Sequence, residues 1–586
     1  MKLKIDIKIL VNVILGVIFI VALYCGVLGW QQYYLDENQH LSFWGALYMT
    51  FQLIGKSTSQ LINNGAYPPR ANVPVYLEIA RQLMPLVVLS AMVNVILAMT
   101  KKYIDLLLIK CFFKEHYVFC GLNKKTESLV NNIIAGTTKG KDNTSGKKNK
   151  IVIIEKNKDH KAISSVKHTN VKVIIGDARD PKVLKQANIG NADYVATFLN
   201  DDSVNIEIVD KIKKLKGKTY KRRIRLITQL SDFYNIMLSK DYQQVESKYI
   251  DYHAFSFYQK TAAKIIDKYS PDIISPIRTS DDPAARIMIF GLNPVGENLL
   301  IEAGMMFHFA NLKKTKVTLV DYRIEEKVGM LLRKYPKIKE VLDIDYLEPL
   351  ELFDSQNPCS LDNLSICFVS GDDDSECVNI SLRCRQFFYS VKKNMELPKI
   401  ITILPHHNQV ALLMTNRDTK FADINVEVHD LHEYFDKETI MDDKEAIDIA
   451  AEKIFNIYPD KENRKFESLT DREKDMNRFP ARHLLVKFRY LNLTVEENYR
   501  KLFKSVLENK IPVTKEQSNI LCRMEHNRWC AEKLLTGFVP GEAVKDKILK
   551  NTLKNSLKYH PLICDFDELD ASEQAKDLGP FFQITT

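Results

Sequence analysis

Two glycine turns carry residue types that could hold a phosphate and a ribose. The apolar run 117–120 (YVFC) leads into Gly-Leu-Asn at 121–123, and the run 287–290 (IMIF) leads into the same three letters at 291–293. An apolar strand, a glycine turn and an amphipathic helix form the opening of a nucleotide-binding βαβ unit, in which a helix N-terminus faces the phosphate. We therefore predict a nucleotide-binding unit at each turn.

An acidic residue closes the next apolar run in both halves of the chain. KIVIIE ends at Glu155 and KVTLVD ends at Asp321, which is where such a unit holds the ribose hydroxyls. Two further segments match in the same order, 196–205 with 368–375 and 224–230 with 400–404. Four matched signals in one order predict two tandem doubly wound α/β modules.

The glycine pattern of each turn is incomplete. The second module has Asn293 where the pattern requires its second glycine, and the first module keeps only the first of the three glycines. Asparagine tolerates left-handed backbone, so the turn is kept while close approach of a pyrophosphate is less favoured. Two interpretations stay open, a nucleotide site and a Rossmann scaffold kept for assembly. The candidate cofactor-binding residues are Gly121, Asn123, Glu155, Asp177, Asp202, Gly291, Asn293, Gly296, Asp321 and Asp373.

Asp202 and Asp373 belong to acidic clusters at predicted helix starts. Carboxylates in this position complement the helix dipole, and hard divalent cations also prefer several carboxylate oxygens. Helix capping is the favoured interpretation. The ten cysteines form no C-x-x-C pair, which favours free thiols over a zinc site. We therefore assign no metal ligand and no catalytic residue.

The part of the chain that precedes these modules is rich in apolar segments. Residues 9–30 are apolar and uncharged, residues 73–99 form a second apolar segment, and a shorter segment lies between them at 42–60. A helix needs about 20 apolar residues to span lipid, so we expect the middle segment to enter and turn back. Helix, half-helix, helix is the plan of a pore-loop channel subunit. The candidate pore residues are Thr50, Gly55, Lys56, Ser57 and Thr58.

Charge patterning gives the orientation. Lysines precede the first apolar segment and follow the second, namely Lys2, Lys4, Lys8, Lys101, Lys102, Lys110 and Lys114. The positive-inside rule therefore puts both termini in the cytoplasm. Lys56 either lines the pore, where it would repel cations, or points to the outer water. The net charge of +9 is spread over 586 residues, so no nucleic acid partner is expected.

A third candidate site lies near the C-terminus. Residues 520–533 are predicted to form a helix, and KYHPL follows at 558–562. The candidate ligand residues there are His526, Arg528, Trp529 and His560. Core packing and hydrogen bonding are the alternative roles for the histidine and the tryptophan, and a solvated helix face is the alternative for the arginine.

Two segments resemble potassium-channel components. Residues 43–54 resemble the pore helix of two-helix potassium channels, but GKSTS at 55–59 stands where the Thr-Val-Gly-Tyr-Gly filter should follow, so potassium selectivity is not expected. Gly-Asp-Ala-Arg-Asp at 176–180 resembles a strand end of the regulator-of-potassium-conductance domains, also called Trk-type NAD-binding domains. That resemblance covers 116–260 closely and 286–410 more loosely. It implies dimerising modules that bind a nucleotide or a cation and transmit strain to the second membrane helix.

Residues 471–586 resemble the ryanodine-receptor repeat (RyR) domain found in some bacterial proteins. The likeness rests on the order of Glu-His-x-x-Trp, a Gly-aromatic stop, Lys-Tyr-His-Pro-Leu and Asp-x-Leu. It implies a ligand sensor, for example for a nucleotide-derived messenger.

We therefore expect a multidomain chain with an α-helical membrane domain, two Rossmann-like α/β domains and a mainly α-helical C-terminal domain. The membrane domain would hold two transmembrane helices plus a re-entrant pore helix. The expected bounds are 1–115 for the membrane domain, 116–270 and 284–415 for the Rossmann-like domains, 416–470 for a helical linker and 471–586 for the RyR-like domain.

The expected function is that of a ligand-gated ion channel subunit of the bacterial inner membrane, multi-pass, in a stress or anti-phage role. The alternative is a non-conducting membrane sensor or transporter regulator. An oxidoreductase ranks last, because neither module has a complete glycine fingerprint or an evident proton-transfer group. The expected ligand is NAD, ATP, ADP or a cyclic nucleotide. The expected partners are membrane lipid and identical subunits, four rather than two.

Overall fold

The computed structural model divides the chain into two compact units, Met1–Cys111 and Phe112–Thr586. The structure describes residues 7–36, 39–54, 73–138, 149–215, 223–231, 236, 249–354, 361–391, 397–405, 425–431, 447–457, 464–493, 510–544, 546, 549, 552–554 and 556–585. Each unit is described below by itself.

The first unit is helical. Its helices are α1 (Ile7–Leu35), α2 (Phe43–Gln52) and α3 (Val75–Phe112), the last with Pro85 in its interior. Ser42 caps α2 by accepting a hydrogen bond from the Gly45 amide at 3.2 Å, as expected at a helix N-terminus. Among the described residues, one segment, Ile14–Leu35, is long and apolar enough to cross a membrane, with a mean hydropathy of 2.1. The second crossing and the re-entrant segment stay predictions.

Small residues let the helices of the first unit approach closely. A Cβ built on Gly26 would lie within 3 Å of three Thr50 side-chain atoms, and one on Gly29 would meet the Leu77 backbone. Trp30 and Tyr33 are fully buried in the core formed here. Large apolar side chains elsewhere on these helices stay exposed, including Ile20, Tyr24, Trp44, Tyr48, Val75 and Leu86. Extended apolar exposure of this kind marks contact with lipid or protein.

The second unit starts with a six-stranded parallel sheet. Its strand order is β3-β2-β1-β4-β5-β6, the doubly wound Rossmann order. The strands are β1 (His116–Cys120), β2 (Ile151–Glu155), β3 (Val171–Ile175), β4 (Ala192–Thr197), β5 (Ile224–Gln229) and β6 (Ile250–Phe255). The helices are α4 (Lys124–Thr138), α5 (Ala162–Ser165), α6 (Pro181–Gln186), α7 (Asp202–Lys214), α8 (Phe257–Lys268) and α9 (Pro271–Ile274), with a 3-10 turn at Ile189–Asn191.

A second parallel sheet repeats the same order. It runs β12-β11-β10-β7-β8-β9, with β7 (Arg286–Phe290), β8 (Lys316–Val320), β9 (Asp343–Leu347), β10 (Leu364–Ser370), β11 (Lys399–Leu404) and β12 (Val426–Asp430). Its helices are α10 (Pro294–Met306), α11 (Ile324–Lys334), α12 (Ile338–Val341), α13 (Pro349–Leu352) and α14 (Asp374–Val391). Strand β10 is buried along its whole length and mostly apolar, as both faces of a parallel sheet are covered. The prediction of two Rossmann-like modules is confirmed.

The remainder is mainly helical. It contains α15 (Asp448–Phe455), α16 (Asp471–Tyr490), α17 (Lys515–Leu535) and α18 (Ala571–Lys576), with 3-10 turns at Phe466–Ser468 and Phe566–Glu568. Two short parallel pairs join β13 (Ile511–Val513) to β16 (Phe582–Ile584) and β14 (Val539–Pro540) to β15 (Tyr559–His560). Capping boxes start both long helices, at Thr470 with Glu473 and at Thr514 with Gln517, a pairing that satisfies two free amides at once.

One core joins the three parts of the second unit. Helix α8 of the first module packs on α10 of the second, and α17 also packs on α10. Helix α16 is tied to both modules by buried ion pairs. Arg482 contacts Asp267 of α8 and Glu302 of α10, both within 2.8 Å, and Arg489 contacts Asp272 of α9 at 2.7 Å.

The segment that leads from α3 into β1 is only three residues long and is fastened to the first module. The Asn188 side-chain amide donates to the Phe113 carbonyl at 2.8 Å, and the Glu115 amide donates to the Asn191 carbonyl at 2.9 Å. Glu115 adopts left-handed backbone, with φ at 54°. A non-glycine residue holds this conformation only where the surroundings impose it.

A buried histidine links β6 to the start of α16 and gives a pH-dependent prediction. His253 lies 3.0 Å from the Asp471 carboxylate and 3.2 Å from that of Asp251. Burial opposes its charged form, as does Arg225, but the two carboxylates outweigh both and raise the pKa of His253 from 6.5 to about 9. A folded-state pKa above the unfolded value gives stabilisation that is complete below pH 6.5 and lost as the pH rises through about 9.

We therefore expect His253→Gln to destabilise the full chain below pH 6.5 and to have little effect above pH 9. Thermal unfolding of wild type and variant across this range measures the difference. A difference in melting temperature that stays constant with pH, or grows toward alkaline pH, would contradict the assignment.

Candidate functional site

The first glycine turn is built as predicted, and its acid holds the backbone of the turn. Gly121 has a φ of 95°, and its amide donates to the Ile154 carbonyl at 2.9 Å. Both oxygens of Glu155 accept backbone amides at 2.9 Å, one from Leu122 and one from Asn157. Asn123 caps α4 by accepting from the Thr126 amide at 2.9 Å, and its own amide donates to the Phe198 carbonyl.

The second turn has the same construction with tighter packing. Gly291 has a φ of 94°, and its amide donates to the Val320 carbonyl at 2.8 Å. Asn293 caps α10 by accepting from the amides of Val295 and Gly296 at 3.0 and 3.1 Å. A Cβ on Gly296 would lie 1.9 Å from the Gly291 carbonyl oxygen. These glycines are therefore required by the packing of the turn itself.

The carboxylates of Asp321 and Asp202, predicted to bind a cofactor, already accept hydrogen bonds from groups of the same chain. Asp321 accepts from the amides of Leu292 and Tyr322 and from Lys327 Nζ, each at 2.6 Å. Both Asp202 oxygens accept from the Ser231 amide, at 2.8 and 3.0 Å. Among the described residues, no group of three or more His, Cys, Asp or Glu side chains is arranged to hold a metal ion.

Asp177 and Asp373 are bonded to groups outside the two glycine turns. Asp177 pairs with Arg179 at 2.7 Å, and this hydrogen bond keeps the pKa of the Asp177 carboxyl well below its ordinary value. Asp373 accepts from the Glu376 amide at 2.9 Å at the start of α14. The capping interpretation of the acidic clusters therefore agrees with the hydrogen bonds of Asp373.

A cavity of about 730 Å³ lies between the two modules and is lined by both helix starts. The first module contributes Asn123, Lys124, Lys125, Glu127, His160, Lys161, Ala162, Ser165, Asn200 and Tyr258. The second module contributes Asn293, Pro294, Val295, Gly371, Asp372, Pro405 and Leu431. Its volume falls in the range of about 300–1,000 Å³ that is usual for small-molecule sites. The structure thus brings Asn123 and Asn293, predicted as members of two sites, to one cavity.

Lys125 is the most unusual charged group of this cavity. Its ammonium lies 4.8 Å from the centre of the Phe257 ring and 5.0 Å from that of Tyr258. Burial lowers the pKa of Lys125 to about 8, although the Asp202 carboxylate acts in the opposite direction. A cation held against aromatic faces in a cavity is well placed to meet an anion.

A second cavity, of about 350 Å³, lies in the C-terminal part, and all four predicted RyR-type residues line it. Trp529 meets His560 edge to face at 4.9 Å between ring centres and stacks on His526 at 6.2 Å. Lys487 of α16 also lines this cavity. An aromatic wall beside buried cations is suited to a planar, anionic ligand.

The charges around this second cavity neutralise one another. Glu525 accepts from Lys487 and from Arg528, each at 2.8 Å, and Glu532 accepts from Arg528 at 2.9 Å. These cations hold the pKa of the buried Glu525 well below its ordinary value, against the effect of burial. Burial alone would lower the pKa of His526, but bonds led by the one to Asp577 raise it to about 10.

The predicted pore residues are only partly within the described structure. Thr50 is fully buried between α1 and α2, where its hydroxyl donates to the Ala46 carbonyl at 2.8 Å. Gly55, Lys56, Ser57 and Thr58 lie outside the described residues. The pore assignment of these four residues therefore stays a prediction.

The sequence reasoning missed the lysines of the inter-module cavity. Lys124 and Lys125 follow the first turn directly, and Lys161 follows the second strand. Two adjacent lysines at a helix start are a detectable signal, because cations there oppose the helix dipole unless an anion binds. Nothing in the local sequence reveals that the second module closes over them.

Comparison with known proteins gives one family match. Residues 117–245 match the family model described as the TrkA-N domain. An uncharacterized protein of Methanocaldococcus jannaschii is 43% identical over 74 residues, which make up 13% of this chain and 15% of the relative. The chain thus matches less than one sixth of the length of that curated relative.

Solved structures show lower similarity. The GsuK structure bound to ADP is 13% identical, with a TM-score of 0.36, over 72% of this chain and 95% of that one. The GsuK channel bound to NAD is 11% identical, with a TM-score of 0.35, over 72% and 81%. The human SLO3 gating ring is 10% identical, with a TM-score of 0.35, over 53% and 79%. These values are too low to carry a function over to this chain.

Proposed function

We propose that this protein is a subunit of a ligand-controlled ion channel in the bacterial inner membrane, with a nucleotide-type ligand bound by its Rossmann modules. The observation that carries the proposal is the cavity shared by the two modules, into which both predicted nucleotide-binding turns lead. The TrkA-N match covers residues 117–245, most of the first of these modules, which supports a regulatory role for it. The apolar α1 supports attachment to a membrane.

The proposed gating mechanism depends on the covalent connection between the modules and the helix α3. A ligand that binds more tightly to one arrangement of the two modules than to another shifts the equilibrium between the two arrangements. The size of the shift is set by the difference in affinity. Phe112, the last residue of α3, is separated from β1 by residues 113–115 alone. A change in the modules would reach the membrane helix through this short connection. Several identical subunits are expected around one pore, because a re-entrant segment is tolerated only when buried in protein or lining water, and four are expected by analogy with pore-loop channels.

Reconstitution tests the proposal. We expect the full chain in planar bilayers to conduct, and the open probability to change on addition of ADP, ATP, NAD or a cyclic nucleotide to the side of the modules. The ionic current is measured in potassium, sodium and chloride gradients to find the permeant ion. If the protein binds a nucleotide but no current flows with any of these nucleotides and ions, the channel function would be contradicted.

The second candidate function is that of a non-conducting membrane sensor or transporter regulator. Enzyme activity is not expected for either candidate. It is favoured by the sequence GKSTS at 55–59, which lacks the glycine pattern of a potassium filter. Nucleotide binding without any current in the same bilayers would select this function.

A further inference from the structure

The two walls of the inter-module cavity differ in chemical character. The first-module wall carries three lysines, Lys124, Lys125 and Lys161, together with His160 and one acid, Glu127. The second-module wall carries no cation among its described residues and presents amide, apolar and carboxylate groups. A ligand that fills this space would therefore place an anionic end on the first module and a neutral polar end on the second.

Several backbone amides of the two glycine turns already donate within the chain. The Gly121 and Gly291 amides each donate to a neighbouring strand carbonyl, and Asn293 accepts from the two amides at the start of α10. A usual dinucleotide site uses the amides of this region for the pyrophosphate. In this cavity the lysine side chains of the first module are the cationic groups that line the space for a phosphate.

Lys125 has the surroundings of a side chain that lacks its counter-ion. Among the described residues, no carboxylate lies within ion-pair distance of its ammonium, and both oxygens of the nearby Asp202 accept from the Ser231 amide. Its neighbours instead are the rings of Phe257 and Tyr258. A half-desolvated cation gains most from a charged acceptor such as a phosphate oxygen.

The opposite wall offers acceptors for hydroxyl and amino groups. Asp372 lines the cavity at the end of β10, where its amide donates to Glu376 and its own carboxylate makes no hydrogen bond to another described residue. Pro294, Pro405 and Leu431 give this wall an apolar surface. A ribose and a base would match such a wall, because the ribose hydroxyls can donate to Asp372 and the base can pack on the prolines and the leucine.

We propose that one phosphate-bearing ligand of the nucleotide class bridges the two modules of each chain, with its phosphate on Lys124, Lys125 and Lys161 and its sugar and base facing the second module near Asp372. The inference rests on the nucleotide-type ligand proposed above but not on conduction. Its consequence is a stoichiometry of one ligand per chain, although two Rossmann modules are present. Binding then requires the two modules to be held together.

The test is titration of ADP into the full chain in lipid nanodiscs, followed calorimetrically. We expect one ADP per chain and a loss of affinity of about tenfold or more in Lys125→Met, because a charge-assisted hydrogen bond is removed. Asp372→Asn, on the other module, should weaken the same binding event about threefold or more. Inorganic phosphate should compete with ADP in the wild type and compete much less in Lys125→Met.

Lys167→Met is the matched control, because Lys167 is an exposed lysine of the same module that does not line the cavity. The control should bind ADP like the wild type, and all variants should keep the wild-type melting temperature without ligand. Two ADP molecules per chain, Lys125→Met indistinguishable from Lys167→Met, or Asp372→Asn without effect would each overturn the proposal. Bound ADP with the expected pattern but without current would instead overturn the channel function and leave the bridging site standing.

Discussion

Arg482→Met should lower the free energy of unfolding by about 3–5 kcal/mol, the usual result of breaking a buried ion pair from one side. Arg482 donates to Asp267 through Nε and Nη2, at 3.1 and 2.8 Å, and to Glu302 through Nη1 at 2.7 Å. The Glu302 side chain is 1% exposed. Methionine fills a similar volume but leaves two buried carboxylates on α8 and α10 without their cation.

The measurement is thermal or denaturant unfolding of the full chain, with Arg523→Met as the matched control. Arg523 pairs with Asp567, whose side chain is 72% exposed, and exposed pairs contribute about 0–1 kcal/mol. Combining Arg482→Met with Asp267→Asn and Glu302→Gln should recover part of the loss, because neutral amides tolerate burial better than charges. Equal destabilisation by the two arginine variants would show that Arg482 does not hold the three parts of the second unit together.

Gly291→Ala should destabilise the second module by roughly 2–6 kcal/mol, the sum of backbone strain and overpacking. The φ of Gly291 is 94°, and a Cβ there would lie 1.8 Å from the carbonyl oxygen of Ser370. The obstruction is backbone of β10, which cannot rotate away as the end of a side chain can. The turn would have to move off the sheet, and with it Asn293, which caps α10 and lines the cavity.

Gly329→Ala is the control for the loss of a glycine in the same module. Gly329 lies in α11, and a Cβ there would have no heavy atom within 4 Å. Alanine is the better helix former by about 1 kcal/mol, so this variant should be neutral or slightly more stable. Unfolding midpoints of the two variants separate the cases, and a Gly291→Ala protein within 1 kcal/mol of the wild type would refute the packing role of the turn.

The repeated α/β modules could be predicted from the sequence because their signals are local. An apolar run, a glycine turn and an acidic strand end occur within about forty residues in each half, as in Gly121 with Glu155. The parallel strand order then follows from the alternation of strands and helices. The same locality explains why the two turns were assigned to two separate sites.

The shared cavity could not be predicted, because it depends on contacts between residues far apart in the chain. Arg482 is 215 positions from Asp267 and 180 from Glu302, and no periodicity links them. The acids Glu155 and Asp321 fit the ribose position of a Rossmann unit, yet their oxygens are used by backbone amides of the turns. A sequence pattern shows where an acid lies in the chain, but it does not show which hydrogen-bond donor the folded chain places beside that acid.

The fastening of residues 113–115 has a mechanical consequence. Three residues reach about 10 Å even when fully extended. Two of them, Phe113 and Glu115, are also hydrogen-bonded to Asn188 and Asn191 of the first module. Residues 113–115 can therefore move away from the first module only if these hydrogen bonds break.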